Sequence, residues 1–267
     1  MTEIQGFILG LIQGLTEFLP VSSSGHLVLF QKLFGLSEGT FTFNVAVHLA
    51  TLIGVILVLK KEVLEVVRKP FGKLSRLVVA GTIPTVIIAA VFYGILKKSF
   101  EAGTTLGMEF LFTGLVLWFA ESIRSKNKGL DRTTYTDAAV MGGAQAIAIL
   151  PAVSRSGLTL AGALMRGLNR EFALKLSFLM SIPAILMGAA KDGYDLIQDG
   201  GVSLTVEPLP LMIGFVTAGI SGYFAVKFML RIFSRTSLKM FAYYVLVLGV
   251  LILADQLFFN LLFQKPF

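Results

Sequence analysis

Long, nearly uncharged apolar stretches dominate this sequence and limit what it can fold into. Three of them approach or exceed the roughly 20 residues that a helix needs to cross a hydrocarbon core about 30 Å thick, and they lie at 43–59, 77–96 and 238–259. The chain is 55% hydrophobic and only 15% charged, whereas about a quarter of the residues in soluble domains are charged. We therefore expect an integral membrane protein.

The absence of cysteine and the net charge exclude some classes of site and partner. The chain has no cysteine, which excludes disulfides, thiol catalysis and cysteine-ligated metals. Its formal net charge is +7, a balance that in a soluble protein would suit nucleic acid. In a membrane protein the same excess gathers in cytoplasmic loops, so we expect no nucleic-acid partner.

The apolar runs predict six full membrane spans and two interrupted segments. Pro, Ser and Gly break the interrupted segments near their middles, at 4–36 and 137–168. The fold class that follows is an all-α integral membrane protein with six transmembrane helices. The predicted spans lie at 41–59, 76–96, 105–123, 172–190, 208–230 and 238–262.

Basic residues predict the orientation of these spans. Four loops hold 17 of the 23 Lys and Arg residues, and loops rich in these residues remain in the cytoplasm. The loops near residues 100 and 200 then lie outside, together with the C-terminus. The four basic loops are 60–76, 124–136, 166–175 and 227–239.

The interrupted segments are predicted to be two re-entrant helical hairpins. Basic stretches flank 137–168 on both sides, so this segment enters from the cytoplasm and returns there. Segment 4–36 must either dip in from outside or cross twice. Each of its arms has about 13 to 16 residues, which is short for a span, and we therefore favour a hairpin.

A motif that recurs at a fixed offset supports this arrangement. Residues 13–25 read QGLTEFLPVSSSG and residues 145–157 read QAIAILPAVSRSG, so Gln, two serines and Gly recur 132 positions apart. Such self-similarity indicates an internal repeat, with halves at about 1–123 and 137–267. Each half then holds a hairpin and three spans, an odd number of crossings, which makes this an inverted-topology repeat. Broken backbone at membrane depth must be buried in protein or line a wet cavity, so we expect the two turns to face each other.

The paired turns carry groups suited to an anion. Each turn is followed by a helix, whose N-terminal N–H groups and positive dipole end favour negative charge. Arg155 adds a planar five-donor cation that matches phosphate oxygens. Glycine in each turn lets the backbone approach a ligand closely. The hydroxyls and glycines expected to line this cradle are Ser22, Ser23, Ser24, Gly25, Ser154, Ser156 and Gly157.

The first turn alone carries further ionisable groups. Glu17 lies one helical turn after Gln13 on the same helix face, and His26 follows the glycine. Ionisable groups inside a membrane are costly and usually functional. Glu17 could orient a metal such as Mg²⁺ or act as a base, His26 could act as a general acid or base, and a nearby serine could be an activated nucleophile. We count the adjacent Thr16 among the substrate-binding residues.

Each of these residues also has a structural interpretation. A serine in a membrane helix often hydrogen-bonds a backbone carbonyl or a neighbouring helix, and His26 could be a structural donor. Arg155 could form a salt bridge to Glu17 between the halves, with no ligand. We interpret His48 as a packing or hydrogen-bonding residue and Asp137 as a solvated group near the cytoplasmic end of its helix.

Both motifs resemble those of the undecaprenyl-pyrophosphate phosphatase family, integral membrane enzymes linked to bacitracin resistance. QGLTEFLPVSSSGHL and LPAVSRSG carry the resemblance, which covers essentially the whole chain. The family's [Glu/Gln]-x-x-x-Glu element is present as Gln13 and Glu17, its P-V-S-S-[ST]-G-H element ends at His26, and its S-R-S-G element keeps Arg155. The sequence departs from the family at Ala152, where glycine is usual.

The resemblance implies hydrolysis of a polyprenyl pyrophosphate to the monophosphate and inorganic phosphate, which recycles a carrier lipid for cell-wall synthesis. It also implies dependence on a divalent cation, Mg²⁺ or Ca²⁺. The enzyme would be a multi-pass protein of the cytoplasmic (inner) membrane, with its active site facing the external side. A homodimer is among the assemblies that we consider.

The resemblance further implies a role for each site residue. Ser23 is the expected nucleophile, with Glu17 or His26 taking its proton, and His26 is the alternative nucleophile. Arg155 and the helix N-termini would hold the phosphates and stabilise charge that develops in the transition state. Glu17, together with Gln13, would hold the metal, although a neutral amide at the first position weakens the case for a two-carboxylate metal site.

Two rival functions come from other classes. Inverted repeats with broken helices are typical of secondary transporters, so a flippase could bind the same lipid phosphate, or another anion, and alternate its access. A membrane scaffold without a ligand is the second rival, but it does not explain why both broken turns are polar and one carries arginine. Release of phosphate by the purified protein distinguishes the enzyme from both.

Overall fold

The computed structural model describes residues 1–36, 40–102, 105–123, 127–148, 150–198, 207–233 and 235–263. Its regular structure in these ranges is helical, as the apolar runs predict. Parts of the predicted external loops near residues 100 and 200 lie outside the described residues, and so do the basic residues Arg124 and Lys126.

Eleven α-helices make up these ranges, and the last continues into one π-helical turn, Asp255–Phe259. The interrupted segments of the sequence correspond to the first and second helices and to the seventh and eighth, each pair joined by a short turn. In chain order the helices are α1 (Glu3–Thr16), α2 (Ser23–Leu33), α3 (Thr40–Val58), α4 (Lys60–Arg68), α5 (Lys73–Ala102), α6 (Leu106–Ser122), α7 (Tyr135–Ile147), α8 (Arg155–Met165), α9 (Arg170–Gln198), α10 (Pro208–Ile232) and α11 (Leu238–Ala254).

Within the described ranges, five helices are long and apolar enough to cross a membrane. They coincide with five of the six predicted spans and make the chain a multi-pass membrane protein. The sixth predicted span, 105–123, corresponds to α6, whose 17 residues lie at the short end of the range that spans a bilayer. The five segments are Thr40–Val58, Lys73–Phe92, Arg170–Tyr194, Pro208–Ile232 and Leu238–Phe259.

Matching capping boxes begin the two hairpins. Thr2 caps α1, where its hydroxyl accepts from the Gln5 N–H at 3.3 Å and the Gln5 side chain accepts from the Thr2 N–H at 2.8 Å. Thr134 caps α7 in the same way, with Asp137 as the partner at 3.2 and 2.9 Å. Both arrangements satisfy N–H groups that a helix start leaves without intrahelical acceptors. Thr134 follows Thr2 by 132 positions, the offset of the repeated motif.

The two hairpins pack crosswise in the bundle. Helix α1 packs against α10, and α7 packs against α5. Each hairpin therefore lies on a long helix from the other half of the sequence. Helix α6 packs against α11, and α3 packs against α9 as well as α10. With this crosswise packing the turns of the two hairpins contact each other.

Glycines set the close approach of α1 to α10. A Cβ atom added at Gly6 would lie 2.5 Å from the Pro210 carbonyl oxygen, and one at Gly10 would lie 2.9 Å from the Gly214 Cα. Real Cβ contacts do not occur at such distances, so any side chain would separate the helices. Membrane helices pack through small residues in this way because lipid provides little hydrophobic drive for their association.

Replacing Gly10 with alanine is expected to lower the thermal unfolding temperature in detergent micelles. Overpacking of a tight contact costs about 1–3 kcal/mol, and circular dichroism at 222 nm measures the shift. Gly143→Ala on α7 is the matched control, because a Cβ there meets no atom within 4 Å and gains helix propensity. Equal unfolding temperatures for the two variants would contradict the proposed helix contact.

The interpretation of Asp137 as a solvated group is wrong. Its side chain is fully buried and pairs with Lys128 Nζ at 3.1 Å and with Arg166 Nε at 2.8 Å. Burial alone would raise the pKa of this carboxyl, but hydrogen bonds from Thr134, Arg166 and Lys128 outweigh it and lower the pKa to about 2. Asp137 therefore ties the start of α7 to the preceding loop and to the end of α8.

Candidate active site

The turns of the two hairpins lie side by side, as the repeat predicts. The Ser24 hydroxyl donates to the Pro151 carbonyl, and the Ser156 hydroxyl donates to the Leu19 carbonyl at 2.7 Å. The Ser22 hydroxyl also donates to Pro151 O, at 3.3 Å. Each serine thus bridges to the opposite turn, and the hydroxyls fasten the two halves together.

Each turn presents the open start of a helix. Ser22 caps α2 by accepting from the Gly25 N–H at 3.3 Å, and Ser154 caps α8 by accepting from the Gly157 N–H at 3.1 Å. In the described part of the chain, the preceding N–H groups have no protein acceptor. Free N–H groups at a helix start, together with the helix dipole, form a natural anion site. The four free groups belong to Ser23, Ser24, Arg155 and Ser156.

Glu17 is the centre of the site. Its buried carboxylate accepts the Ser23 hydroxyl at Oε2, with an oxygen–oxygen distance of 2.6 Å. The same oxygen accepts from Gln13 Nε2 at 2.7 Å, and Oε1 accepts from Arg155 Nη2 in a salt bridge between the two halves. Arg155 Nη1 is buried and has no hydrogen-bond partner. The site therefore joins a serine, a carboxylate and a guanidinium with a donor still to be satisfied.

His48 is a site residue that the sequence interpretation missed. Its Nε2 lies 3.6 Å from Glu17 Oε2, while its Nδ1 donates to the Asn44 carbonyl of the same helix at 2.7 Å. The hydrogen bond to Asn44 agrees with the expected structural role, but the approach to Glu17 was not foreseen. It depends on how α3 packs beside α1, and no local motif around His48 reports that packing.

His26 lies at the other side of the turn. Its Nδ1 is 2.6 Å from the Ser22 carbonyl oxygen, and its Nε2 is 2.7 Å from the Tyr244 hydroxyl. Both ring nitrogens are therefore engaged, and their hydrogen bonds lead neither to Glu17 nor to the Ser23 hydroxyl. Of the two bases considered from the sequence, Glu17 is the one in hydrogen-bond contact with Ser23.

Gly25 and Gly157, which were expected to contact a ligand, lie against other parts of the protein. A Cβ atom at Gly25 would lie 2.6 Å from the Phe110 ring and 3.0 Å from the Ala152 Cβ. A Cβ at Gly157 would lie 3.0 Å from the Ser154 side chain. The space beside Gly25 is thus filled by α6 and the opposite turn, and the space beside Gly157 by its own capping serine and by Leu117 of α6.

Thr16 also differs from the expectation of a residue open to substrate. Its hydroxyl donates to the Ile12 carbonyl of its own helix at 2.6 Å. This local bond is common for threonine in membrane helices. This bond uses the only proton of the hydroxyl. Thr16 is then left with acceptor lone pairs alone, which repel the oxygen atoms of a phosphate.

Glu109 is a second buried acid that the sequence interpretation missed. Its carboxylate accepts from the Ala152 N–H at 2.7 Å and from the Thr105 hydroxyl at 2.7 Å. Thr113, one turn further along α6, accepts from the Ser154 N–H at 3.1 Å. These bonds fix the turn before α8 and thereby the direction of Arg155. A lone Glu within an apolar run is a sequence signal that could have identified it.

Comparison with known proteins identifies the family of the chain. The family model described as "Bacitracin resistance protein BacA" matches residues 6–251. An undecaprenyl-diphosphatase from Carboxydothermus hydrogenoformans is 51% identical over 256 residues, which is 96% of this chain and 98% of that protein. Undecaprenyl-diphosphatase 3 of Bacillus cereus is 43% identical, with the same two shares covered. An undecaprenyl-diphosphatase from Halothermothrix orenii is 39% identical over 92% of this chain and 95% of that protein. With a match of this extent, spanning both hairpins and the helices between them, the chain belongs to the BacA bacitracin-resistance family.

Proposed function

We propose that this chain is a membrane phosphatase that hydrolyses undecaprenyl diphosphate to the monophosphate and inorganic phosphate. One observation carries the proposal: the Ser23 hydroxyl, the Glu17 carboxylate and the Arg155 guanidinium meet where the two hairpin turns touch. The names of the relatives support the substrate. The product is a lipid monophosphate, the form in which a polyprenyl carrier can be loaded again for cell-wall synthesis.

Ser23 is the nucleophile in this proposal. A serine hydroxyl is a weak nucleophile unless an adjacent base takes its proton. Glu17 Oε2, which is 2.6 Å from Ser23 Oγ, lies within the reach that proton transfer requires. The Ser23 O–H proton passes to Glu17 as Oγ bonds to the terminal phosphorus. The bond from that phosphorus to the bridging oxygen breaks, and the lipid monophosphate leaves.

Water completes the cycle. It attacks the phosphoserine phosphorus, the bond to Ser23 Oγ breaks, and Glu17 returns its proton to that oxygen. Both protons of the water stay on the released phosphate, which leaves as dihydrogen phosphate, and Glu17 is again a carboxylate. Glu17 thus acts as base in the first step and as acid in the second, and its short contact with Ser23 serves both.

Arg155 and the helix starts stabilise the transferred group. Arg155 Nη1 has no protein partner, so it is free to bond a phosphate oxygen while Nη2 holds Glu17. The unpaired N–H groups at the starts of α2 and α8 add donors from both turns. Such preorganised donors act on the charge that develops in the transition state without reorganising during the reaction.

The oxygen atoms available at Glu17 and Gln13 are few, so they fit a metal ion that takes most of its ligands from water and phosphate. Gln13 offers a buried Oε1 with no protein partner, and no cluster of three or more metal-binding side chains occurs in the described ranges. Mg²⁺ commonly binds through one or two carboxylates plus substrate phosphates. Glu17 and Gln13 would hold Mg²⁺ or Ca²⁺, which would supply Lewis-acid stabilisation of the negative charge on the phosphates.

The membrane arrangement completes the proposal. The short α6 forms a sixth span beside the five long segments, and the α1–α2 and α7–α8 pairs are re-entrant hairpins. The halves 1–123 and 137–267 form an inverted repeat, supported by the matched capping boxes and the crosswise packing. The site opens to the external face of the cytoplasmic membrane, because the basic loops favour the opposite side.

Purified protein is expected to release inorganic phosphate from undecaprenyl diphosphate in detergent or liposomes, and a chelator such as EDTA is expected to slow the release. A colorimetric phosphate assay measures both. Re-addition of Mg²⁺ or Ca²⁺ controls for damage by the chelator. Binding or transbilayer movement of the lipid without phosphate release would instead favour the flippase, which the comparisons above do not support.

A further inference from the structure

The backbone of Ser22 adopts an unfavourable conformation immediately before the proposed nucleophile. Its φ is 68° and its ψ is 95°, in a region that strains residues with a side chain. Such residues persist where the surrounding structure holds them, and they concentrate at active sites. The contacts that hold Ser22 therefore bear on how Ser23 is presented.

The ring of His26 holds the Ser22 carbonyl. Nδ1 lies 2.6 Å from that oxygen, and the His26 backbone N–H donates to it at 3.2 Å. A carbonyl only accepts, so Nδ1 must carry the proton. In the neutral ring Nε2 then has a free lone pair, and it accepts from the Tyr244 hydroxyl at 2.7 Å.

Tyr244 fixes this ring from the other half of the chain. The two rings stack with centroids 5.7 Å apart and planes 12° apart, and Phe110 packs edge-on against His26 at 5.5 Å. A hydroxyl donor at Nε2 favours the ring form with the proton on Nδ1. Tyr244 thus selects the tautomer that can hold Ser22.

The direction of the Ser22 carbonyl sets the direction of the next N–H. In a trans peptide the C=O and N–H groups point to opposite sides. Because His26 draws the Ser22 oxygen toward itself, the Ser23 N–H points away from His26. That N–H has no protein acceptor in the described ranges, and it belongs to the residue whose hydroxyl meets Glu17.

We propose that Tyr244 and His26 are positioning residues that together aim the Ser23 N–H at the transferred phosphoryl group. The inference rests on the proposed phosphatase function. It makes His26 a hydrogen-bond donor to the backbone, with no proton transferred to or from the substrate. The pair also explains why both ring nitrogens of His26 are engaged within the protein.

Two substitutions of His26 separate this role from acid–base or nucleophilic catalysis. Asparagine places its N–H₂ near the Nδ1 position, and glutamine places its N–H₂ near the Nε2 position. We expect His26→Asn to keep kcat within about tenfold of wild type, and His26→Gln and His26→Ala to lose roughly 10²- to 10³-fold, as for a lost transition-state donor. Equal loss in His26→Asn and His26→Gln would overturn the proposal.

Tyr244→Phe and Tyr243→Phe form a matched pair on α11. Tyr243 is similarly exposed, 54% against 50%, but packs on Trp118. Loss of one neutral hydrogen bond is expected to lower kcat about three- to tenfold in Tyr244→Phe, with KM nearly unchanged and Tyr243→Phe like wild type. Equal activity of the two variants would overturn the role of Tyr244.

The tautomer itself can be read without any turnover. The chain has two histidines, so His48→Gln leaves His26 as the sole imidazole for ¹⁵N NMR in nanodiscs. We expect a protonated Nδ1 and an unprotonated Nε2, whereas a protonated Nε2 would overturn the proposal. If His48→Gln shows this tautomer but the wild-type protein releases no phosphate, the proposed function is overturned and the His26–Tyr244 geometry stays intact.

Discussion

Replacing Ser23 with alanine is expected to reduce kcat for phosphate release by roughly 10³- to 10⁶-fold, because without a nucleophile only binding and transition-state stabilisation remain. The Ser23 hydroxyl is the one that Glu17 contacts at 2.6 Å, and its loss removes the atom that bonds to phosphorus. KM is expected to change little, because Arg155 and the helix starts still bind the diphosphate. Glu17→Gln is expected to show a similarly large loss, since the amide cannot take the proton.

The control for Ser23→Ala is Ser181→Ala. Ser181 is also buried, and its hydroxyl donates to the Phe178 carbonyl within α9 at 2.7 Å, outside the site. Acid-quenched reactions of the wild type, analysed by peptide mass spectrometry, should contain phosphate on Ser23. Wild-type activity in Ser23→Ala, or phosphate on a different side chain, would refute the assignment of the nucleophile.

Replacing Arg155 with alanine is expected to have two effects that can be measured separately. Activity should fall about 10²- to 10³-fold, as when a transition-state donor is removed. Stability should also fall, because Glu17 becomes a buried carboxylate without its salt bridge, which costs about 3–5 kcal/mol. Adding Glu17→Gln to Arg155→Ala should recover part of the stability and none of the activity.

A ligand test separates the two interpretations of Arg155. If Arg155 binds phosphate, inorganic phosphate or a diphosphate analogue raises the unfolding temperature of the wild type and fails to do so in Arg155→Ala. If Arg155 serves only as the bridge to Glu17, phosphate protects both proteins equally. Arg155→Lys is expected to give an intermediate result. Lysine keeps the charge but lacks the planar guanidinium that can bond Glu17 and a phosphate at the same time.

The sequence predicts that the two hairpin turns meet, because the same turn motif occurs twice in the chain. Gln13 and Gln145 share one offset with the serines and glycines of both turns. An inverted repeat with broken helices requires those turns to meet, since unpaired backbone cannot face lipid. The capping serines could be expected for the same local reason, because serine before a helix start satisfies its free N–H groups.

The residues that the sequence did not reveal come from helix packing. His48, Glu109 and Tyr244 lie in apolar helices, where hydropathy predicts the span but not the rotation of the helix about its axis. Their partners are Glu17, the Ala152 N–H and His26. Each pairing depends on how whole helices pack together, which no local pattern reports.

Asp137 shows the converse error. Its position near a predicted cytoplasmic end made solvation the simplest interpretation, but Lys128 and Arg166 enclose it. The isolated bridge between Lys128 and Leu168 brings the loop before α7 against the end of α8. A carboxylate with two cationic partners can be buried, because its charge is paired. The sequence gives no sign that Asp137, Lys128 and Arg166 come together.

The crosswise packing of the hairpins has a consequence for any piece of this protein. Because α1 rests on α10 and α7 rests on α5, a polypeptide cut between α6 and α7 would leave each fragment with its hairpin unsupported and a vacant groove along its long helix. Two such fragments rebuild the bundle only if the hairpin of each fragment packs into the groove on the long helix of the other. In the single chain the two halves are covalently joined, and the salt bridge between them takes its acid, Glu17, from one hairpin and its arginine, Arg155, from the other.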